Sequence, residues 1–255
     1  MADPHPVIRE LTALLAGHNR LLIFTGAGIS TASGIPDYRG PQGVWKTRQP
    51  VYYQDFMTSE AARREYWQQK SEDRGDFGTA APNAVHEAIA GLEQAGRVEK
   101  VVTQNIDGLH RMAGTSPGKL IEIHGTSTLI ECQSCGERTD PAPHFDDFEA
   151  TGESPKCHCG GYLKPATISF GQNLRTEDLM GAFAAAEQCD LAIALGSTLL
   201  VTPAADIPLR AAMSGAPYVV INRGETGHDG LGVITLRLDG DVGEVFPAAV
   251  TAALD

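Results

Sequence analysis

The sequence is short of basic residues and of long apolar runs, and each shortage excludes a class of protein. It has 20 lysines and arginines against 32 acidic residues, which gives a formal net charge of −12. Nucleic acid is therefore not expected as a general partner, because phosphate binding requires a basic surface. No apolar run reaches the roughly 18 residues that cross a membrane, so no membrane partner is expected. Residues 1–10 lack the basic and apolar segments of a secretory signal, and we expect a cytoplasmic protein.

Cysteine is also scarce, with five residues in 255. In such a protein, cysteines are more often metal ligands or free thiols than disulfides. Four of them form two close pairs, Cys132 with Cys135 and Cys157 with Cys159, which is a zinc-ribbon pattern. The second pair is tighter than usual, and His158, which lies inside it, stays open as a ligand in place of one cysteine. Four thiolates would complete a tetrahedron, so the sequence predicts one structural Zn²⁺.

Short apolar runs alternate with amphipathic segments along the chain. This alternation predicts an α/β fold with a Rossmann-like, doubly wound parallel sheet. Two insertions are expected to interrupt the sheet domain. The predicted division assigns residues 1–40, 76–129 and 165–255 to the sheet domain, 41–75 to a helical insertion and 130–164 to a small zinc-ribbon module. Within this module we expect the acidic residues near Asp146 to form a loose, solvated stretch.

The glycine-rich turn after the first predicted strand is a candidate ligand site. Thr25–Ser30 reads TGAGIS, and its glycines would allow a tight turn whose backbone N–H groups point at a phosphate. The motif is not a complete G-x-G-x-x-G, because Thr31 replaces the third glycine, and an ordinary strand-to-helix turn is an equal alternative on this pattern alone. Asp37, Tyr38 and Arg39 follow on a glycine-rich loop, and this combination favours ligand chemistry over packing.

Two later strand ends carry polar residues where open α/β sheets bind ligands. One runs into Gln104, Asn105 and Asp107, although Asp107 has an alternative role as the cap of a short helix. The other ends at His124, which is followed by Gly125 and is therefore free to project into a cleft. The unperturbed histidine pKa of about 6.5 suits a general base at neutral pH.

Taken in order, these motifs resemble those of the sirtuins, the NAD-dependent protein deacylases. The resemblance runs from about Leu21 to Pro247. The motifs that carry it are GAGIS at 26–30, GIPDYRG at 34–40, QNID at 104–107 with GLH at 108–110, IEIHG at 121–125 and the paired cysteines. It implies NAD as cofactor, acyl-lysine proteins or peptides as partners, and nicotinamide, 2′-O-acyl-ADP-ribose and free lysine as products. It also implies catalytic roles for His124, which would activate a ribose hydroxyl, and for Asn105.

The resemblance further implies a set of binding residues. The implied NAD-binding residues are Gly26, Ala27, Gly28, Ile29, Ser30, Asp37, Tyr38, Arg39, Gln104, Asn105, Ile106, Asp107, Gly196, Ser197, Thr198, Asn222, Arg223, Gly224 and Val242. The implied substrate contacts are Phe170, Gly171 and Val201. The family's acid-selective Tyr-x-x-Arg pair is not matched, because Gln69 follows Tyr66 at that spacing, and this favours an acetyl or another uncharged acyl group.

Three other functions stay open on the sequence alone. Gln172 replaces the family's usual Glu, and Ser197-Thr198 reverses its usual hydroxyl order, which leaves room for protein ADP-ribosyl transfer or an unusual acyl group. A hydride-transfer dehydrogenase would require a complete glycine motif and an acid about 20 residues further on, and neither is clean here. A non-catalytic NAD-sensing or zinc-ribbon module would not require intact polar residues at both strand ends.

Overall fold

A computed structural model describes residues 6–37, 43–44 and 48–255. Its strands are β1 Leu21–Thr25, β2 Val98–Thr103, β3 Leu120–Glu122, β4 Gly125–Cys132, β5 Arg138–Thr139, β6 Leu163–Thr167, β7 Leu191–Leu195, β8 Tyr218–Asn222 and β9 Leu236–Asp239. Its helices are α1 Pro6–Gly17, α2 Tyr53–Thr58, α3 Glu60–Thr79, α4 Ala84–Gln94, α5 Leu109–Met112, α6 Ala142–Thr151, α7 Thr176–Gln188, α8 Asp206–Met213 and α9 Val242–Leu254. Among the described helices, none is both long and apolar enough to cross a membrane.

The main sheet has six parallel strands in the order β3-β2-β1-β7-β8-β9. This is the doubly wound Rossmann order, so the predicted fold class is confirmed. The winding direction reverses between β1 and β7, which are neighbours in the sheet although they are distant in sequence. The connections leave the sheet in opposite directions there, and a crevice opens at the carboxyl ends of these two strands.

The strands β1, β7 and β8 are buried at every position because helices cover both faces of the sheet. Leu21 and Ile23 of β1 pack into a core shared with α1, α4 and α9. Leu22 and Phe24 point the other way, into a core shared with α7 and α8. Because successive side chains of β1 point to opposite faces of the sheet, this one strand contributes to both cores.

The two predicted insertions form one second lobe rather than two separate ones. The antiparallel sheet β5-β4-β6 and α6 pack against α2 and α3 in a single apolar core. Trp67 of α3 joins the parts: its indole Nε1–H donates to the Leu163 carbonyl at 3.1 Å, and its ring lies 5.1 Å from that of Phe145. The predicted domain boundaries stay a prediction, and α3 runs across the one placed at residue 75.

The acidic side chains near Asp146 are exposed, as expected, but the expectation that this stretch is loose was wrong. The segment is the helix α6. Phe145 and Phe148 lie three residues apart on one helical face and are buried against the core of the second lobe. Gly152 ends the helix in the left-handed conformation. Two buried aromatic rings therefore order a segment whose composition suggested solvated coil.

Candidate active site

A cleft of about 1460 Å³ lies at the carboxyl ends of the parallel strands, between the sheet and the second lobe. Most of the residues that the sequence implicated line it. They are Gly26, Ala27, Gly28, Asp37, Gln104, Asn105, Ile106, His124, Phe170, Gly171, Gly196, Ser197, Thr198, Val201, Asn222, Arg223, Gly224 and Val242. Seven separate stretches of chain, with residues 26–37 taken as one, thus converge on the position where a doubly wound sheet binds its ligand.

Some implicated residues lie behind the wall of the cleft. Ile29, Ser30 and Asp107 are buried and do not line it. The Ser30 hydroxyl donates to Asp107 Oδ2 at 2.7 Å, and the other carboxylate oxygen accepts the N–H of Leu109 at 2.9 Å, so Asp107 does cap α5. Ile29, Ser30 and Asp107 therefore stabilise the wall of the cleft without lining it. Tyr38 and Arg39 lie outside the described residues.

In the glycine-rich turn after β1, the N–H groups of Gly26 and Gly28 bind other backbone groups of the protein. The Gly26 N–H donates to the Leu195 carbonyl and the Gly28 N–H to the Gly196 carbonyl, both at 2.9 Å. The expectation that these two N–H groups point at a phosphate was therefore wrong. They join the end of β1 to the end of β7. A Cβ at Gly26 would lie 2.7 Å from the Gly196 oxygen, so close backbone packing requires glycine here.

The side-chain amides of Gln104 and Asn105 hydrogen-bond the segment after β2 to the loop after β7 and to the turn after β1. The Gln104 Nε2 donates to Ser197 Oγ at 2.7 Å, which connects β2 to the loop after β7. The Asn105 Nδ2 donates to the Gly26 carbonyl at 3.2 Å and to Ser30 Oγ at 3.1 Å. Both of its amide hydrogens are thereby used, so its carboxamide oxygen is the polar atom that Asn105 offers to a ligand.

His124 is half-buried and lines the cleft. Its Nδ1 lies 3.1 Å from the Gln104 carbonyl, and a carbonyl can only accept, so Nδ1 carries the proton. This tautomer places the basic lone pair on Nε2. The imidazole therefore has a defined orientation, and Nε2 is the nitrogen that can accept a proton.

The opposite end of the cleft is built by the ends of β8 and β9 and the start of α9. Asn222 Nδ2 donates to the carbonyls of Arg223 and Gly224 at 3.0 and 3.3 Å, which shapes the loop after β8. Asp241 caps α9 by accepting the Gly243 N–H at 2.8 Å and also pairs with Arg223 at 2.9 Å. The start of this 13-residue helix thus borders the cleft, where its dipole favours a bound anion.

Tyr66 and Gln69 of α3, which the sequence analysis names only for acyl selectivity, line the cleft. Lys70 of α3 and residues 167–169 at the end of β6 also line it and were not among the predicted site residues. Burial raises the pKa of the Tyr66 phenol to about 12, so it stays protonated, and its oxygen lies 3.4 Å from Thr167 Oγ1. The concentration of aromatics between residues 52 and 67 was the available signal, but it does not distinguish a cleft wall from a core.

The four paired cysteines converge in the second lobe. The four sulfurs lie within 4.8 Å of one another, with separations of 3.6 Å for Cys132–Cys159 and 3.7 Å for Cys135–Cys157. Tetrahedral zinc with Zn–S bonds of about 2.3 Å implies S–S separations of about 3.8 Å, so the arrangement fits a Zn(Cys)₄ site. A Cβ at Gly161 would lie 2.6 Å from Cys132 Sγ, which explains a glycine behind the cluster.

His158 lies beside the cluster but turns toward a different partner. Its Nδ1 is 3.1 Å from a carboxylate oxygen of Glu137, and its side chain is largely exposed. The four-cysteine set is therefore complete without it. The cysteines do not line the cleft, which agrees with a structural metal.

Comparisons with known proteins agree with this geometry. A sequence model of the Sir2 family matches residues 26–203. The NAD-dependent protein deacetylase of Rhodopseudomonas palustris is 39% identical over 240 residues, which cover 94% of each chain. A Sir2 protein solved with a p53 peptide and NAD⁺ has a TM-score of 0.84 and 35% identity, over 96% of this chain and 97% of that one.

A Sir2 variant solved with a deacetylated p53 peptide and 3′-O-acetyl-ADP-ribose has a TM-score of 0.87 and 36% identity, over 96% of this chain and 97% of that one. Identity above 30% over nearly the whole length, together with the family match, establishes the relationship. The chain is a member of the Sir2 family.

Proposed function

We propose that the chain is an NAD-dependent protein-lysine deacylase whose first expected activity is deacetylation. The observation that carries this proposal is His124, held on the cleft with its Nδ1–H on the Gln104 carbonyl. A hydride-transfer dehydrogenase is disfavoured because Thr31 replaces the third glycine of its G-x-G-x-x-G motif. The names of the relatives, NAD-dependent protein deacetylase and deacylase, support the same activity.

The cleft fits a dinucleotide. The glycines at 26, 28 and 196 let two strand-end loops meet backbone to backbone and form the floor of the cleft, and the start of α9 supplies an anion-favouring end. We assign the floor to Gly26–Gly28 and Gly196–Thr198 and the far end to Asn222–Gly224 with Val242. Bound NAD supplies the ADP-ribosyl group that accepts the acyl group and the nicotinamide that leaves.

In this proposal His124 takes a proton at Nε2 from a hydroxyl group placed in the cleft. The Gln104 carbonyl would stabilise the resulting imidazolium, because it already accepts the Nδ1–H. Asn105 is held through both amide hydrogens, so its carboxamide oxygen would be presented in one orientation. Neither group has to reorganise during the reaction, which is the condition for effective electrostatic positioning.

We assign the acyl-lysine peptide to the side of the cleft formed by Phe170, Gly171 and Val201. The segment at 170–171 is anchored to the second lobe, since the Tyr53 N–H donates to the Phe170 carbonyl at 2.9 Å and Gln54 Nε2 donates to the Gly171 carbonyl at 2.8 Å. Gln69 on the cleft wall is neutral, which supports an uncharged acyl group. None of the five cysteines forms a disulfide, as is usual in a reducing compartment such as the cytoplasm.

The test incubates the protein with NAD and acetyl-, longer-acyl- and succinyl-lysine peptides and follows both products by mass spectrometry. Wild type should yield free lysine and O-acyl-ADP-ribose, and His124→Ala should lose about 10²–10⁴-fold of the rate. His18→Ala, at the end of α1 and away from the cleft, is the matched histidine control and should retain full activity. Nicotinamide release without consumption of acyl-lysine, or an active His124→Ala variant, would instead favour ADP-ribosyl transfer or NAD hydrolysis.

A further inference from the structure

Two buried histidines pack against each other behind the cleft. His86 of α4 and His110 of α5 are almost completely inaccessible, and their ring centroids lie 5.0 Å apart in an edge-to-face arrangement. Each ring has one nitrogen without a hydrogen-bond partner in the described part of the chain, Nε2 in His86 and Nδ1 in His110. Buried polar atoms are rarely left unpaired, so this pair of atoms requires an explanation.

The first ring has a defined tautomer. The backbone N–H of Asn83 points at His86 Nδ1 at 3.3 Å as part of the capping box that begins α4. Because an N–H can only donate, His86 Nδ1 is unprotonated and the ring proton is on Nε2. The unpartnered atom of His86 is therefore a donor.

The second ring has a complementary tautomer. His110 Nε2 lies 3.0 Å from Thr25 Oγ1, and the single hydroxyl hydrogen of Thr25 is donated to Thr103 Oγ1 at 2.8 Å. Thr25 can only accept from His110, so His110 Nε2 carries the proton and Nδ1 does not. The unpartnered atom of His110 is therefore an acceptor.

We infer that one buried water joins His86 Nε2–H to His110 Nδ1, and that the pair acts as a positioning relay between two segments of the cleft. One end of the relay is Asn83, whose Nδ2 donates to the Ile29 carbonyl and to Ser33 Oγ, both at 2.8 Å. It therefore holds the turn that follows β1.

The other end of the relay is the start of the polar segment after β2. Thr103 Oγ1, which accepts from Thr25, also accepts the backbone N–H of Asn105 at 3.0 Å. The relay thus connects the glycine turn to Asn105 by hydrogen bonds, each of which has a defined donor and acceptor. Neither ring lines the cleft, so both histidines are positioning residues.

The surroundings keep the relay neutral. Burial and, to a smaller extent, the neighbouring His86 lower the pKa of His110 to about 3. Burial also lowers the pKa of His86, although the carboxylate of Asp107 opposes this. A neutral ring is required at both positions, because an imidazolium has no acceptor nitrogen.

The chain offers variants that separate the two nitrogens. His110→Gln places an amide nitrogen near the former Nε2, which preserves the donor to Thr25 and removes the Nδ1 acceptor. His86→Asn preserves an oxygen acceptor for the Asn83 N–H and removes the Nε2 donor. His18→Gln is a control outside the relay.

The first measurement needs no variant. Two-bond ¹H–¹⁵N NMR spectra of the wild-type protein should show both rings as Nε2–H tautomers, and an Nδ1–H tautomer at either position would overturn the relay. This result is independent of the proposed function.

The second measurement rests on the proposed function, because its readout is the dissociation constant of NAD by calorimetry well below the unfolding temperature. Each single variant should weaken NAD binding by about three- to tenfold, and the double variant by no more than the larger single effect. If the losses of NAD affinity of the two single variants multiplied in the double variant, the two histidines would act independently, which would contradict the relay. Failure of wild type to bind NAD would instead count against the proposed function, while the tautomers would still decide the relay.

Discussion

Gly28 and Gly196 meet backbone to backbone at the centre of the cleft floor. The Gly28 N–H donates to the Gly196 carbonyl at 2.9 Å, and a Cβ at Gly28 would lie 2.8 Å from the Gly196 Cα. Gly196 has a left-handed φ of 60°, and a Cβ there would lie 2.6 Å from the Ile29 nitrogen. The two loops that end β1 and β7 are therefore in contact without intervening side chains.

Gly28→Ala should destabilise the protein and weaken NAD binding. The new methyl group meets backbone atoms, which cannot rotate away, so we expect a loss of about 1–3 kcal/mol in the free energy of unfolding. The control is Gly91→Ala in α4, where a Cβ meets nothing within 4 Å and should stabilise the helix slightly. Urea denaturation and NAD titration of both variants check this, and equal stability of the two would contradict the packing argument.

Removal of zinc should unfold the second lobe. The cluster lies against the core that contains Trp67 and Phe145, so we expect chelation to lower the unfolding temperature and abolish deacylation. Cys135→Ser should lose the metal, because serine does not replace a thiolate ligand. Cys189→Ser, at a buried thiol outside the cluster, should keep one equivalent of zinc by atomic absorption. Metal bound equally by both variants would exclude the four-cysteine site.

Trp67 should be the principal connection between the two parts of the second lobe. Trp67→Ala removes a fully buried ring and should cost about 3–5 kcal/mol. Trp67→Phe keeps most of the ring but leaves the Leu163 carbonyl without its indole donor, which should cost about 1–2 kcal/mol. Chemical denaturation of both variants measures the difference. A Phe variant as unstable as the Ala variant would show that the hydrogen bond, and not ring packing, dominates.

Lys164 should make stability depend on pH above neutrality. It is fully buried, and burial lowers its pKa to about 7 although Glu131 opposes the shift. Between that value and the unfolded pKa of about 10.4, the unfolded chain binds a proton that the folded chain does not, so stability rises with pH. From pH 7 to pH 9 the wild type should gain about 2 kcal/mol relative to Lys164→Met. Parallel stability curves for the two proteins would show that the lysine stays charged when buried.

The fold and most of the cleft were predictable from local patterns. A fully apolar run such as Leu21–Phe24 requires cover on both faces, which is enough to predict a parallel sheet. Polar residues at the ends of β2 and β3 then mark its ligand-binding edge. The cysteine spacing was sufficient to predict the metal cluster. Each close pair supplies two ligands, so the site requires only that the two pairs meet in the fold.

Other features depend on contacts between distant segments, which no local pattern contains. The use of the Gly28 N–H follows from the register of β1 against β7, and Gly196 is far away in sequence. The order in α6 depends on Trp67, which covers Phe145 and Phe148. The pairing of His86 with His110 likewise requires α4 and α5 to be placed first.

The separate cores of the two lobes have an evolutionary consequence. The cleft wall at Gln69 and Lys70 belongs to a helix anchored in the second lobe, whereas the floor belongs to the sheet. Substitutions in the wall should therefore have little effect on the geometry of the floor. The acyl preference can then change during evolution while the proposed dinucleotide site stays the same. Mutant libraries confined to Gln69 and Lys70 of α3 would explore that variation with little risk to the rest of the enzyme.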